Sequence, residues 1–199
     1  MMHFPVMEYF HSIQGEGVNV GQPSFFIRLG GCDVGCVWCD VKDSWDADKH
    51  PKLSVDFLLD EASKYPTKLL IITGGEPAMY DLTKLTNKFK EAGYRIHIET
   101  SGAYPLIGEF DWITFSPKKF KAPLKEVAKV ADELKIVVFN KSDLQWAEDH
   151  QKLVSSDCKL FLQPEWDKRE ITEKIVFDYI LSHPNWFVSL QTHKYLGVD

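Results

Sequence analysis

Short β-rich runs alternate with helical patterns along most of this chain, and that alternation constrains its fold more than any other feature. A strand pattern over 24–29 ends at Gly30-Gly31, and an apolar run over 68–72 ends near Gly74-Gly75. Further strand patterns lie at 95–99, 112–115, 134–139, 159–163 and 186–190. Ser54 is the expected cap of a helix reaching about Lys64, with Phe57, Leu58 and Ala62 on one face. Asp81 is the expected N-cap of a second helix, whose Leu82, Leu85, Phe89 and Ala92 keep helical spacing until Gly93 stops it. Two more helices are predicted over 142–153 and 172–182. Strands and helices at this interval predict βαβ units and a parallel sheet. A chain of 199 residues is short for eight such units, so the expected fold class is α/β, a partial TIM-like barrel in one domain spanning 1–199.

The polar and glycine-rich signatures fall just after the strands. They are Thr73-Gly74-Gly75-Glu76-Pro77, Glu99-Thr100-Ser101-Gly102, Ser116-Pro117-Lys118, Gln163-Pro164-Glu165 and Gln191-Thr192-His193. In parallel α/β folds, active sites gather at the carboxyl ends of strands. The expected site is therefore one face of the barrel.

Composition narrows the chemistry. Hydrophobic residues at 44% and charged residues at 26% exclude a disordered chain. Lys plus Arg is 23 against 29 for Asp plus Glu, a net charge of −6, which argues against a nucleic-acid partner and for small-molecule chemistry. No apolar run approaches the roughly 20 residues that span a bilayer, so no membrane partner is expected. The first Lys or Arg is Arg28, unlike the basic start of a secretory signal, and the expected location is the cytoplasm.

Cys32, Cys36 and Cys39 form a C-x3-C-x2-C group after the first of these strands, and Cys158 is far away. That layout is poor for a disulfide framework and reads first as metal-binding or redox chemistry. Three thiolates can hold three irons of a cubane and leave the fourth open to react, whereas four cysteines close it. A zinc site completed by Cys158 or a His, and an incidental cluster, are the alternatives, although closed zinc sites usually pair two short-spaced elements. Cys158, just before a strand, reads as a small buried hydrophobe.

With Trp38 before its last cysteine, the C-x3-C-x2-C group resembles the radical S-adenosylmethionine superfamily, and Gly74-Gly75-Glu76-Pro77 resembles that superfamily's GGEP motif. The resemblance implies the radical SAM fold and a [4Fe-4S] cluster on Cys32, Cys36 and Cys39. It implies an open iron chelated by S-adenosylmethionine, whose amino group meets the backbone of Gly74, Gly75 and Glu76.

The flanks are similar to the 7-carboxy-7-deazaguanine synthase family from end to end. They include His11-Ser12-Ile13-Gln14-Gly15-Glu16-Gly17, Gly21-Gln22-Pro23, Phe26-Ile27-Arg28-Leu29 and Trp38-Cys39-Asp40. Ile98-Glu99-Thr100-Ser101-Gly102, Ser116-Pro117-Lys118 and the closing 189–196 segment complete the set. The resemblance implies a (β/α)6-type barrel, usually a homodimer, supplied with electrons by a flavodoxin or ferredoxin. The implied reaction converts 6-carboxy-5,6,7,8-tetrahydropterin to 7-carboxy-7-deazaguanine by radical ring contraction with loss of ammonia, toward deazapurines such as queuosine. The rival readings are a small activase acting on a protein and a non-catalytic iron–sulfur or zinc module.

By resemblance, Ile13, Gln14, Gly15, Arg28, Thr73 and His193 bind the substrate. Gly75, Ser116, Pro117, Lys118 and the Gln163-Pro164-Glu165-Trp166 segment meet S-adenosylmethionine. Glu16, framed by Gly15 and Gly17, suits the guanidine-like edge of a pterin, and Arg28 suits its carboxylate; alone, each also suits a surface turn or a rim ion pair. Lys118 is open between a cofactor contact and a solvated charge. The chain ends six residues past His193, within reach of the pocket, so the terminal carboxylate of Asp199 is expected against the pterin N–H groups. One position departs from the family. A Thr that ligates Mg²⁺ is replaced by Val41, so the metal is either held by other oxygens, with Asp40 the candidate, or absent.

Overall fold

A long strand that the alternating pattern did not announce begins the sheet. In the computed structural model, which describes residues 2–198, β1 (His3–Ile13) runs antiparallel to β2 (Pro23–Leu29), and β3 (Lys52–Ser54) is antiparallel to the start of β1. From β2 onward every pairing is parallel. β2 is followed in the sheet by β4 (Leu69–Gly74), β5 (Arg95–Thr100), β6 (Trp112–Phe115), β7 (Glu133–Val138), β8 (Lys159–Pro164) and β9 (Trp186–Val188). β2 and β4 to β9 are the expected strands, with ends moved by no more than two residues.

Four helices cover the outside: α1 (Val55–Ser63) and α2 (Thr83–Glu91), then, beyond the single turn α3 (Lys125–Lys129), α4 (Ser142–Gln151) and α5 (Arg169–Ser182). A last short helix, α6 (Thr192–Leu196), follows β9. Ser54 caps α1 as expected, its Oγ accepting from the Phe57 N–H at 3.2 Å. Leu58 and Ala62 are fully buried, but Phe57 turns outward and meets Tyr9 edge-on. The N-cap of α2 is Leu82 rather than Asp81, yet Asp81 still does capping work: its Oδ1 accepts from the Thr83 N–H at 2.9 Å. Gly93 ends that helix with φ +81°, a conformation that costs other residues strain.

The parallel strands are covered on both faces, and their alternate residues do different work. Leu70 and Ile72 on β4, Ile96 and Ile98 on β5, pack against α1 and α2; Leu134, Ile136 and Val138 on β7 pack with Leu160 and Leu162 on β8 in a second cluster. Truncating one of these, Leu70→Ala for example, would cost about 2–5 kcal/mol. The opposite residues, including Thr73, Glu99, Lys135 and Gln163, line the inside. Phe26, Leu69 and Ile71 form its apolar floor with Phe10, whose ring stacks on Phe26 at 4.8 Å.

The sheet rolls far enough for the segment after β1 to reach the opposite edge. The Gly17 N–H donates to Ser189 Oγ at 3.0 Å, and the Thr192 N–H donates to the Gly15 carbonyl at 2.9 Å. The result is a partial barrel with a filled seam. Among the described residues, no helix is long and apolar enough to cross a membrane.

Candidate active site

At the carboxyl ends of the parallel strands the barrel opens into a cavity of about 330 Å³. Cys32, Cys36 and Cys39 line it together with Gly74, Gly75 and Glu76. The two motifs are tied to each other. The Gly75 N–H donates to the Leu29 carbonyl and the Glu76 N–H to the Gly31 carbonyl, both at 2.9 Å. A Cβ on Gly75 would lie 2.3 Å from the Gly31 oxygen and 2.8 Å from Cys32 Cβ, so only glycine permits this approach. The Glu76 carboxylate is buried and accepts from Thr100 Oγ1 (2.5 Å), Ser101 N (2.8 Å), Ala78 N (3.0 Å) and the Ser101 hydroxyl. It staples the β4 loop to the β5 loop.

Three thiols, those of Cys32, Cys36 and Cys39, face the cavity. Burial raises the Cys32 thiol and takes Cys36 to about 11, so those two thiols stay protonated without a metal, and a metal would have to displace their protons. Cys158 is buried in the helix-side core, away from the cavity, and cannot complete a zinc site with the other three.

Below the thiols lies a charged belt. Lys135 is ion-paired with Glu16 Oε2, and Glu16 Oε1 accepts from Gln163 Nε2 at 3.1 Å and Gln191 Nε2 at 3.0 Å. Burial would raise the Glu16 carboxyl, but Lys135 and then the Gln191 amide hold it below its ordinary value. Burial works against the Lys135 charge too, and Glu16 with Glu99 outweighs it, so its pKa is raised. Glu99 accepts from Gln14 Nε2 at 3.0 Å and Thr73 Oγ1 at 3.1 Å. Nearer the mouth, Lys118 donates to Ser116 Oγ, and burial lowers its pKa to about 8. Its Nζ lies 5.6 Å from the Trp38 ring centre.

The structure brings most of the expected residues to this cavity. Ile13, Gln14, Gly15 and Glu16 line it from the β1 side, Arg28 and Thr73 from β2 and β4, and Ser116, Lys118, Gln163 and His193 from the rest of the barrel. Gly15 makes room for His193: a Cβ there would sit 2.0 Å from its Nδ1. Arg28 also donates to Glu8 at 2.5 Å. Asp40 reaches the rim, paired with Lys194 at 2.5 Å. Pro117, Pro164, Glu165 and Trp166 do not line the cavity. The Pro117 carbonyl accepts from Trp146 Nε1 at 3.2 Å, and Pro164 is buried in β8. Glu165 accepts from the Asp167 and Lys168 N–H groups ahead of α5, and Trp166 packs edge-on against Tyr195. Asp199 lies outside the described residues.

Lys135 is the site residue that sequence reasoning missed, while Glu99 and Gln191 entered it only as members of the segments after β5 and β9, with no role of their own. A signal existed for Lys135. Charged residues at alternate positions of a strand covered on both faces must point into the barrel, and Lys135, two residues after Glu133 in β7, occupies such a position.

Comparison with known proteins agrees with this geometry. Residues 26–128 match the family model described as the Radical SAM superfamily, so barrel and cysteine loop together define a radical SAM protein. The chain is 49% identical to the 7-carboxy-7-deazaguanine synthase of Flavobacterium psychrophilum, covering 98% of this chain and 92% of that one. It is 50% identical to the Synechocystis sp. enzyme of that name, over 98% and 93% of the two chains. The crystal structure of QueE from Escherichia coli superposes with a TM-score of 0.85 at 30% identity, covering 96% of this chain and 95% of that one. The chain belongs to the 7-carboxy-7-deazaguanine synthase family.

Proposed function

We propose that this chain, acting as a single domain, converts 6-carboxy-5,6,7,8-tetrahydropterin to 7-carboxy-7-deazaguanine, a precursor of deazapurines such as queuosine. The observation that carries the reading is that three cysteine thiols, the GGEP segment and a buried charged belt share one small cavity. Cys32, Cys36 and Cys39 would hold a [4Fe-4S] cluster. The Gly74-Gly75-Glu76 backbone, with Ser116 and Lys118, would edge S-adenosylmethionine. When bound, these groups supply a one-electron, hydrogen-abstracting chemistry that no side chain here provides.

The chain's own residues bind, orient and exclude water. Arg28 reaches the cavity with a guanidinium suited to the substrate carboxylate, and its pairing with Glu8 fixes its direction. Gln14, Thr73 and His193 face the same space from three sides, and Gln14 and Thr73 are bonded there to Glu99. The apolar floor of Phe10 and Phe26 bars water from below, which protects a reactive intermediate. A protein-activating enzyme would need a wide mouth for its partner, and a cavity of about 330 Å³ with a charged lining favours a small polar substrate instead.

The residues do not fit Mg²⁺. The Val41 side chain has no oxygen, its carbonyl accepts from the Ser44 hydroxyl at 2.6 Å, and Asp40 is already paired with Lys194. For partners, the reading includes a flavodoxin or ferredoxin as electron donor and a homodimer in the cytoplasm. Exposed Phe177 and Leu181 on α5, beside Phe187 on the edge strand β9, support the dimer.

Anaerobic reconstitution followed by turnover of 6-carboxytetrahydropterin and mass spectrometry tests the reading. The expected result is 7-carboxy-7-deazaguanine together with consumed S-adenosylmethionine. A protein that cycles electrons without consuming S-adenosylmethionine is a carrier, and the proposal is then wrong.

A further inference from the structure

Among the described residues, four carboxylates line the cavity: Glu16, Asp40, Glu76 and Glu99. A pterin offers adjacent N–H donors along its guanidine-like edge, and reading them in pairs requires a carboxylate with one open acceptor site on each oxygen. A carboxylate oxygen has about two such sites, so the hydrogen bonds already made decide which residue can do this.

Glu76 has none to spare: Oε1 accepts from Ala78 N and Thr100 Oγ1, and Oε2 accepts from the backbone and hydroxyl of Ser101. Glu16 is closed on Oε1 by Gln163 and Gln191, and its Oε2 is held by Lys135. Asp40 is closed on Oδ2 by Gln191 and Lys194. Glu99 differs. Among the described residues each of its oxygens has one donor, Gln14 on Oε1 and Thr73 on Oε2. Those two bonds aim the carboxylate and leave one site open on each oxygen.

Resting on the proposed function, we infer that Glu99 is the carboxylate that reads the paired N–H donors of the pterin, and that Glu16 is the structural counter-ion of Lys135. Gln14 and Thr73 then act as positioning residues, because their contact with the substrate edge runs through Glu99. The assignment also explains specificity. A ring bearing a carbonyl in place of the 2-amino group would set its oxygen against a carboxylate oxygen, leaving both without a proton to share.

The test is equilibrium binding to cluster-loaded protein with S-adenosylmethionine and no reductant, under anaerobic conditions. The probes are 6-carboxytetrahydropterin and its 2-oxo analogue. Glu99→Gln, normalised for iron content, is expected to weaken pterin binding about 10- to 100-fold and to erase the preference over the 2-oxo analogue. Glu99→Asp retains the charge but shortens the reach, and is expected to keep the preference while losing affinity. Unchanged affinity and preference in Glu99→Gln overturns the assignment, as does loss of the preference in Glu16→Gln alone. If the unmodified protein ignores the pterin altogether, the functional reading falls and this assignment with it.

Discussion

Lys135 on β7 is ion-paired with Glu16 across 119 residues of sequence, and both side chains are almost entirely buried. The pair joins the middle of the parallel array to the segment that crosses from β1 to β2. Gln163 on β8 and Gln191 beyond β9 bond the same carboxylate, so one side chain gathers three strands around the seam of the barrel. A buried pair of this kind need not add net stability, but either half alone is costly.

Lys135→Met is therefore expected to destabilise the cluster-free protein by about 3–5 kcal/mol, because it strands the Glu16 charge. Adding Glu16→Gln to it should recover much of that loss. Urea unfolding of the two variants checks this; a double variant no more stable than Lys135→Met would show that the cost lies in packing rather than charge.

The three thiols face one cavity and the fourth lies in the helix-side core. Cys32→Ala, Cys36→Ala and Cys39→Ala are each expected to lose the iron and all turnover after reconstitution. Cys158→Ala should keep both. Its cost is a small cavity worth about 1 kcal/mol. Full iron retention in Cys36→Ala would contradict the assignment of the cluster.

The parallel array was legible because buried strands read as short apolar runs: Leu69-Leu70-Ile71-Ile72 is covered on both faces, and glycines follow it. β1 was not legible. Its pairing with β2 shifts register between Val6 and Glu8, which breaks the two-residue alternation of His3–Ile13. The motif residues could be read because their chemistry is local: three cysteines within one loop, two glycines after one strand. The belt is a product of tertiary folding. Glu16 looks like a surface turn until the sheet rolls and Lys135, Gln163 and Gln191 arrive from far along the chain. The Glu165-Trp166 stretch shows the opposite case. It follows a strand as a site segment should, but its carboxylate turns back to serve α5.

His97 on β5 is buried beside Arg95, with Arg95 Nη2 3.4 Å from its Nε2. Burial and then that guanidinium push its pKa down to about 4. The folded protein keeps the ring neutral while the unfolded chain takes up a proton near 6.5. This contribution to stability is therefore complete above about 6.5 and is lost as pH falls toward 4. His97→Gln should flatten the stability profile in that window by up to about 1.4 kcal/mol per pH unit. Parallel profiles for the two proteins would show that His97 is not the titrating group.

Val41 lines the cavity one residue after Asp40, at the position where the family's metal-binding hydroxyl is expected. An isopropyl group gives Mg²⁺ nothing to bind, since that ion takes oxygen ligands in a demanding octahedral arrangement. The neighbouring oxygens are occupied: the Val41 carbonyl serves Ser44 through both its hydroxyl and its N–H, and Asp40 is neutralised by Lys194 at 2.5 Å. A metal ion arriving here would have to displace that lysine. Turnover by the unmodified protein should accordingly respond little to added Mg²⁺, and Val41→Thr should gain a response because it restores one oxygen facing the cavity. Lys194→Met should shift the balance the same way by freeing Asp40. Rates measured across a Mg²⁺ titration separate the cases. A strong requirement for Mg²⁺ in the unmodified protein would mean that Asp40 releases Lys194 to take the metal, and that Val41 is no barrier to it.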